Sequence, residues 1–200
     1  CIFSQERLNL DNKIKFFKTH NAFWKLGEYA FTNELNTLGV IHVVRDPRNV
    51  VTSIMNHFSK TIDNYEKAFK FISDTKKMFG PETSTFEEND LPTIISSWSN
   101  HYNSWRKFRK NNLLIRYEDL IQDTKNEFTK IANFVGDLLK LKFNEDQIDT
   151  AINLSSFENL EKMEKKDGFT ESNIGKDGNK NKFFFLGPKN NWRKILDHQI

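Results

Sequence analysis

The chain has 200 residues, of which 37% are hydrophobic and 14% aromatic, and it carries a formal net charge of +3. This length and apolar content suit a single domain with a sizeable core and exclude a disordered chain. The charge is too small for a general nucleic-acid binder, so we expect no nucleic acid partner.

The cysteine content and the hydropathy pattern indicate the cellular location that we expect for the protein. Cys1 is the single cysteine, so the sequence offers neither an intrachain disulfide nor a cysteine cluster for a metal. No apolar run approaches the roughly 20 residues of a membrane span, and the first residues do not have the pattern of a signal peptide. We therefore expect no membrane span and a reducing, cytoplasmic location.

The first patterned stretch covers residues 13–38. Residues 13–17 (KIKFF) are predicted to form a strand, with Lys18 and His20 directly after it. Residues 24–38 are predicted to form a helix that leads through Gly39 into the next strand. A lone histidine at the end of a strand is usually a surface residue, and that alternative stays open for His20.

Residues 39–58 predict a strand, a sharp turn and a helix. The apolar, β-branched run 40–44 has the composition of a strand that is buried on both faces. Asp46 followed by Pro47 is a helix-start signal. Arg45 then lies at the carboxyl end of the strand, where open α/β sheets bind ligands. The free N–H groups of a helix N-terminus favour an anion there. The alternative is an ordinary strand–helix unit in which Arg45 pairs with Asp46 or another surface carboxylate.

The helix predicted after Pro47 has two different faces. One face is polar and carries Asn49, Ser53 and Asn56. The other face is apolar at helical spacing and is made of Val50, Val51, Ile54, Met55 and Phe58.

Periodicity, caps and stop signals predict the remaining elements. We expect a strand over 111–117, an exposed loop over 80–90, and helices over 60–79, 92–109, 124–136 and 144–165. Thr124 and Glu127 are interpreted as a capping box and Gly136 as the stop of that helix. The stretch 167–191 is rich in Gly, Asn and Lys and is predicted to be a mobile loop.

Five motifs, in this order along the chain, resemble those of sulfotransferases that use 3′-phosphoadenosine 5′-phosphosulfate (PAPS). They are Lys18-Thr19-His20, Arg45-Asp46-Pro47 with Ser53, Tyr117-Glu118-Asp119, Ser155-Ser156-Phe157, and Gly187 with Trp192. The resemblance implies an α/β fold with a central parallel β-sheet flanked by helices, similar to that of the P-loop nucleoside triphosphatases. It also implies one sulfotransferase-like domain over residues 1–200.

The resemblance implies a role for each of the matching nucleotide-side residues. Arg45 and Ser53 would contact the 3′-phosphate, and Tyr117 would contact the adenine part of the nucleotide. Ser155 and Phe157 would bind the nucleotide through a hydroxyl and through ring stacking.

The resemblance also implies the chemistry at the other motif. His20 would be the general base that takes the proton from the acceptor, and Lys18 would help to hold the departing or transferring group. The acceptor would be a hydroxyl or amine of a small molecule or carbohydrate, and no metal would be needed. Many family members have Leu-Pro after the histidine, whereas this chain has Asn21-Ala22, so we expect a different acceptor pocket.

The C-terminal motif departs from the family pattern. Gly187 and Trp192 match, but Phe185 and Leu186 replace an Arg-Lys pair that grips the 3′-phosphate. Lys182 or Lys189 could substitute for that pair, and we include Gly187 and Lys189 among the expected cofactor-binding residues.

A loop for the 5′-phosphosulfate is not found before Lys13. We therefore expect a fragment that lacks the first strand, the phosphate loop and the first helix, and that is inactive alone. Two alternatives to a sulfotransferase stay open at this point, a P-loop kinase and a degenerate domain that binds nucleotide without catalysis.

Overall fold

The computed structural model of the chain describes residues 5–7, 10–11, 13–80 and 93–196. These residues have the predicted α/β architecture. They divide into two compact units. The first unit takes in the chain up to His42 together with Phe71–Leu113, and the second takes in Val43–Lys70 and the chain from Leu114 onward. The predicted loop over 80–90 lies, apart from Gly80, outside the described residues.

The elements follow one another in a mixed order. In the described part of the chain the strands are β1 (Lys25–Leu26), β2 (Tyr29–Ala30), β3 (Val40–Val44), β4 (Met78–Phe79), β5 (Thr93–Ile94) and β6 (Asn112–Arg116). Beyond residue 40 the α-helices are α1 (Pro47–His57), α2 (Tyr65–Ser73), α3 (Trp98–Trp105), α4 (Tyr117–Gln122), α5 (Thr124–Leu139), α6 (Glu145–Leu154), α7 (Phe157–Asp167) and α8 (Trp192–Ile195).

Strands β3 and β6 pair with each other. The backbone N–H of Val40 donates to the carbonyl of Asn111 at 2.8 Å, so the two strands begin at the same edge and run in the same direction. Their carboxyl ends therefore also share an edge, which is the ligand-binding edge of a parallel sheet. Both strands were predicted from their apolar runs, and the structure confirms them as strands. The predicted burial of β3 on both faces is wrong, because Val43 is 53% exposed.

Helix α1 begins as its sequence predicts. Asp46 is the N-cap, its carboxylate accepts a hydrogen bond from the N–H of Arg48, and Pro47 opens the first turn. On the apolar face, Val51 and Ile54 are buried. The local signals are sufficient here because capping and periodicity act within a few residues.

The helix predicted over 24–38 is wrong, because this stretch contains an antiparallel hairpin. Lys25 pairs with Ala30 and Leu26 pairs with Tyr29, so Gly27 and Glu28 form a two-residue turn. Gly27 has a φ of +59°, a conformation that glycine adopts without steric cost and that tight hairpin turns require.

The strand predicted over 13–17 is not formed in the described part of the chain. Residues 13 to 20 have no regular secondary structure and are exposed. A strand needs a hydrogen-bonded neighbour as well as a suitable composition. The sequence pattern indicates the composition alone and does not indicate a neighbouring strand.

Several helix ends also differ from prediction. Helix α5 runs past Gly136 to Leu139 and ends at Lys140, which has a φ of +57°. Gly136 permits a close approach, since a Cβ there would lie 2.7 Å from the carbonyl oxygen of Leu141. Asp123, one residue before the predicted cap, accepts the hydrogen bond from Asn126 N–H.

The other predicted helices are shorter or divided. Residues 60–79 contain α2 and then β4, and residues 92–109 contain β5 and then α3. Residues 144–165 hold two helices, because Ser156 caps a new helix at Phe157. Helix propensity favours a continuous helix across each of these junctions. In the structure, helix caps and strand pairing interrupt the helix there.

Each unit has its own apolar core. In the first unit the ring of Phe23 lies 5.5 Å from Trp105 and 5.6 Å from Phe108, both of which are buried. In the second unit the buried apolar side chains include Val51, Ile54, Ile62, Ala68, Ile115, Ala132 and Ile148. Trp105 of α3 thus belongs to the core of the first unit.

Candidate functional site

Arg45 lies where the strand–turn–helix pattern predicts, directly after β3. Its guanidinium carbon is 4.2 Å from the centre of the Tyr117 ring, and Tyr117 directly follows β6. One guanidinium nitrogen donates a hydrogen bond to the carbonyl of Gly187 at 3.2 Å. Burial lowers the pKa of Arg45, and the neighbouring Tyr117 and Glu118 oppose that shift, but an arginine remains a cation at neutral pH.

Through Gly187, Phe157 also lies close to Arg45 and Tyr117, so that four of the predicted cofactor-binding residues are neighbours. A Cβ at Gly187 would lie 2.2 Å from the ring of Phe157, so a side chain cannot be accommodated there without movement of the ring. Gly187 also has a φ of +50°, which favours glycine. We call Arg45, Tyr117, Phe157 and Gly187 the Arg45 site.

The C-terminal segment is held on the polar face of α1 by a buried network. The Asn190 amide donates to the carbonyl of Asn49 at 2.9 Å, and the Thr52 hydroxyl donates to the Asn190 side-chain oxygen at 2.8 Å. The backbone N–H of Trp192 donates to the Asn49 side chain at 2.9 Å. Asn49, Thr52 and Asn190 are all buried.

Ser53 lies at the edge of this network. Its hydroxyl is 3.4 Å from the carbonyl of Asn49 and 3.4 Å from the Asn190 amide nitrogen. Ser53 is therefore linked to the segment that carries Gly187, two turns along α1 from its start. Sequence reasoning singled out Ser53 but missed Asn190 and Thr52. The polar face shared by Asn49, Ser53 and Asn56 was the available signal.

The turn between β3 and α1 is held by two carboxylates. The backbone N–H of Asp46 donates to the Glu118 carboxylate at 2.9 Å. Asp46 itself forms a salt bridge with Arg48 at 2.6 Å, and the pKa of Asp46 is lowered by the hydrogen bond from Arg48. The guanidinium of Arg48 also lies 3.9 Å from the centre of the Trp192 ring. Arg48 is thus the ion-pair partner of Asp46.

The remaining predicted nucleotide-side residues are more exposed. The Ser155 hydroxyl donates to the carbonyl of Ala151 at 2.7 Å and so ends α6. Lys189 is exposed in the short 3₁₀ turn Gly187–Lys189. Lys182, the other cation that could replace the family's Arg-Lys pair, forms a salt bridge with Glu161. The pKa of Glu161 is lowered mainly by Lys182 and to a smaller extent by Lys189.

Lys18 and His20 lie in the first unit, in the exposed stretch before β1. Thr19 organises the turn after them, since its hydroxyl accepts from the N–H of Asn21 at 3.0 Å. The neighbouring backbone of His20 and Asn21 raises the pKa of His101 on α3 against the larger, opposite effect of its burial.

A second histidine accompanies His101 in the first unit. The ring of His42 in β3 lies 6.1 Å from His101 and 5.9 Å from Tyr102. Burial, and then the charge of His101, lower the pKa of His42 to about 4. Burial likewise lowers the pKa of His101, so both rings are neutral at neutral pH. Sequence reasoning did not single out His42, because an apolar strand gives no sign that one of its members titrates.

Two further findings concern the described residues only. Across residues 5–7, 10–11, 13–80 and 93–196, no group of three or more His, Cys, Asp or Glu side chains is arranged to hold a metal ion. Within the same ranges no helix has both the length and the apolar character needed to cross a membrane.

Residues 3–200 match the family described as "Sulfotransferase domain". The chain belongs to the sulfotransferase family. This membership favours the predicted sulfotransferase over the kinase alternative.

Individual relatives are distant and longer than this chain. It is 26% identical to Sulfotransferase 2A6 of Rattus norvegicus over 170 residues, which cover 80% of this chain and 56% of the relative. It is 30% identical to 3-beta-hydroxysteroid sulfotransferase of Cavia porcellus over 132 residues, which cover 62% of this chain and 39% of the relative. The chain spans about half the length of the curated relatives it matches.

Among solved structures, the fold is similar to that of retinol dehydratase in a complex with retinol and PAP. The TM-score is 0.55 at 20% sequence identity, and the alignment covers 84% of this chain and 46% of that chain. This likeness supports the assignment of the fold.

Proposed function

We propose that the protein transfers a sulfuryl group from PAPS to a hydroxyl or amine, with His20 as the general base. The observation that carries the proposal is the Arg45 site, in which a partly buried arginine at the carboxyl edge of the sheet contacts Tyr117 and Gly187. A family member needs a cation and aromatic rings at this edge to hold an anionic nucleotide.

The residues of the Arg45 site fit a nucleotide with a ribose phosphate. Arg45 carries a planar, positively charged guanidinium, and the charged hydrogen bonds that such a group donates suit a phosphate. Tyr117 and Phe157 offer aromatic faces for adenine. Gly187 lets the backbone approach the Phe157 ring where any Cβ would collide. We propose Arg45 and Ser53 for the 3′-phosphate, and Tyr117, Ser155, Phe157, Gly187 and Lys189 for the rest of the nucleotide.

The chemistry proposed for the first unit needs a base and a cation. His20 is exposed and can accept a proton from an acceptor hydroxyl. Lys18, two residues before His20, carries a positive charge that stabilises negative charge on the group being transferred. PAPS, when bound, supplies the sulfuryl group. No step in this scheme requires a metal.

The relatives support an alcohol as the acceptor. Their names include 3-beta-hydroxysteroid and 3-alpha-hydroxysteroid sulfotransferase, both of Cavia porcellus. We propose a small-molecule alcohol for this chain, with a carbohydrate or an amine as outcomes that an acceptor screen would reveal.

Transfer of radioactive sulfate from PAPS to a panel of small alcohols tests the proposal. The full-length protein should transfer sulfate, and His20→Ala should lose about 10²- to 10⁴-fold in kcat, which is the usual contribution of a general base. The affinity of His20→Ala for PAP (adenosine 3′,5′-bisphosphate), measured by calorimetry, should stay within about twofold of the wild-type value. His57→Ala is the matched control, because it removes a histidine from the second unit. Normal turnover by His20→Ala would contradict the assignment of the base.

One observation favours a second candidate, a nucleotide-binding domain without catalysis. Phe185 and Leu186 replace the Arg-Lys pair of the family pattern, and Phe185 is 49% exposed instead of forming part of the core. This candidate predicts that PAP binds and that no acceptor in the panel is sulfated. The transfer assay and the calorimetry together separate the two functions.

A further inference from the structure

The segment that leads to Gly187 is fixed on α7 by one carboxylate. The backbone N–H of Phe183 donates to one oxygen of Glu164 at 2.6 Å, and the N–H of Phe184 donates to the other oxygen at 2.9 Å. The Ser172 hydroxyl also donates to the Glu164 carboxylate, at 3.2 Å. Hydrogen bonds to an ionised acceptor are roughly twice as strong as those between neutral groups. We call this set of contacts the Glu164 clamp.

The clamp replaces the hydrogen bonds that regular secondary structure would supply. Residues 181 to 186 lie in no helix or strand, so the backbone N–H groups there need acceptors from elsewhere in the chain. The two oxygens of Glu164 bind two consecutive N–H groups, and the peptide plane between those groups is fixed as a result. The clamp therefore sets the direction in which the backbone continues toward Gly187.

The residues just before the clamp are bonded to α1 and to the turn that follows it. The Asn56 amide donates to the carbonyl of Lys182 at 2.8 Å. The Asn181 amide donates to the carbonyl of Asn56 at 2.7 Å and to the Ser59 hydroxyl oxygen at 2.9 Å. The segment is thus bonded to α1 at residues 181 and 182 and to α7 at residues 183 and 184.

The ring of Phe184 connects the clamp with the Arg45 site. It lies 6.2 Å from the Phe157 ring, centre to centre, with the edge of one ring toward the face of the other. The Phe169 ring lies 5.3 Å from it. Phe157 in turn occupies the space that a Cβ at Gly187 would need. A displaced Phe184 would therefore leave the Phe157 ring free to move at the position proposed for the nucleotide.

We propose that Glu164 is a positioning residue for nucleotide binding, because it fixes the backbone of Phe184 next to the Phe157 ring. The inference rests on the proposed function, in which Phe157 offers its face to the adenine. A ring that is already held in place loses less conformational entropy when a base stacks on it. Glu164 acts through Phe184 and contacts no part of the nucleotide itself.

This role predicts which nucleotides are affected. Phe157 is proposed for the adenine, which PAP and adenosine 5′-phosphate share. Glu164→Ala should therefore weaken both nucleotides equally, by about 10-fold if the site is assembled in about one tenth of the molecules. Arg45→Ala should instead weaken PAP much more than adenosine 5′-phosphate. Titration calorimetry of the full-length variants with both nucleotides measures the two patterns.

Amide hydrogen exchange, followed by NMR, gives a readout without any nucleotide. In Glu164→Ala the N–H groups of Phe183 and Phe184 should exchange about 10-fold faster than in the wild type, because both lose their acceptor. Glu164→Gln keeps one acceptor oxygen, so its exchange rates and affinities should lie between those of the wild type and the alanine variant. Glu66→Ala, at an exposed glutamate of α2, is the matched control and should change each quantity by less than about twofold.

The outcomes separate this inference from the proposed function. A folded Glu164→Ala protein with unchanged exchange at Phe184, unchanged affinities, or a loss for PAP alone would overturn the positioning role. If Glu164→Ala does not fold, Glu164→Gln takes its place, and unchanged exchange or unchanged affinities would overturn the role equally. A wild-type protein that binds neither nucleotide would overturn both proposals. If the wild type sulfates no acceptor while exchange and affinity respond as stated, the proposed activity fails and the role of Glu164 stands.

Discussion

The guanidinium carbon of Arg45 lies 4.2 Å from the centre of the Tyr117 ring, and the two residues directly follow the parallel strands β3 and β6. A cation over an aromatic face is held electrostatically, more strongly where water is partly excluded. The contact fixes a planar donor group at the sheet edge before any ligand arrives, and such preorganisation reduces the entropy lost on binding.

This geometry predicts that Arg45 discriminates between nucleotides. Arg45→Ala should weaken PAP by about 10- to 100-fold, since a hydrogen bond to a charged group contributes roughly 1.5–3 kcal/mol. Adenosine 5′-phosphate, which lacks the 3′-phosphate, should lose much less. Titration calorimetry with both ligands measures the difference, and Arg116→Ala is the control because Arg116 is an exposed arginine at the end of β6. Equal losses for the two nucleotides would show that Arg45 does not read the 3′-phosphate.

Gly187 and Phe157 give a second prediction. Gly187→Ala should destabilise the protein through two separate costs. A left-handed backbone costs a non-glycine residue about 1–2 kcal/mol, and overlap with the Phe157 ring adds roughly 1–3 kcal/mol. Phe157→Ala in the same chain should remove the second cost, which urea unfolding of the single and double variants measures as a coupling energy.

Gly178 supplies the matched control for this cycle. It has a φ of +82°, and a Cβ there would meet nothing within 4 Å. Gly178→Ala should therefore show the backbone cost alone. If Gly187→Ala is no more destabilising than Gly178→Ala, the close contact with Phe157 is not a constraint. If Gly187→Ala is more destabilising than Gly178→Ala, it should also weaken the binding of PAP.

The parts of this site that could be predicted from sequence are those determined by near neighbours. The start of α1 at Asp46 and Pro47 and the location of Arg45 after a strand follow from signals a few residues apart. The family motifs added Tyr117, Phe157 and Gly187, and the structure brings these three together with Arg45.

The contacts that hold the site together could not be predicted in the same way. Thr52 and Asn190 are 138 residues apart, and the Phe23–Ser104 bond spans 81 residues. Such pairs are set by tertiary packing, which local periodicity does not report. The hairpin at Gly27 was missed for a different reason, because the surrounding residues resemble a helix until the turn chemistry of Leu-Gly-Glu is given priority.

The buried network around Asn190 gives a third prediction. Asn190→Ala should lower the free energy of unfolding by about 1–3 kcal/mol, because the Thr52 hydroxyl and the Asn49 carbonyl each lose a bond in a buried place. Asn133→Ala, an exposed asparagine on α5, should change stability by no more than about 0.5 kcal/mol. Urea unfolding measures both, and equal small effects would mean that the network does not hold the C-terminal segment.

His42 predicts how stability depends on pH. Its pKa is about 4 in the folded chain and 6.5 as an ordinary histidine, because burial first and His101 second disfavour its charge. In the unfolded chain it is therefore protonated between these two values, while in the folded chain it stays neutral. The unfolded state binds more protons in that window, so stability falls as the pH is lowered from about 6.5 to about 4.

The size of this effect follows from the shift. At 1.36 kcal/mol for each pKa unit, His42 should cost up to about 3 kcal/mol of stability at the acid end. His42→Phe keeps a buried ring and removes the titration. The difference in unfolding free energy between the wild-type chain and His42→Phe, measured in urea at several pH values, should be constant above about pH 7. Toward pH 4 the wild-type chain should lose stability relative to His42→Phe, so the difference should shift in favour of the phenylalanine variant. A difference that does not vary over this range would show that His42 titrates normally in the folded chain and is not confined between His101 and Tyr102.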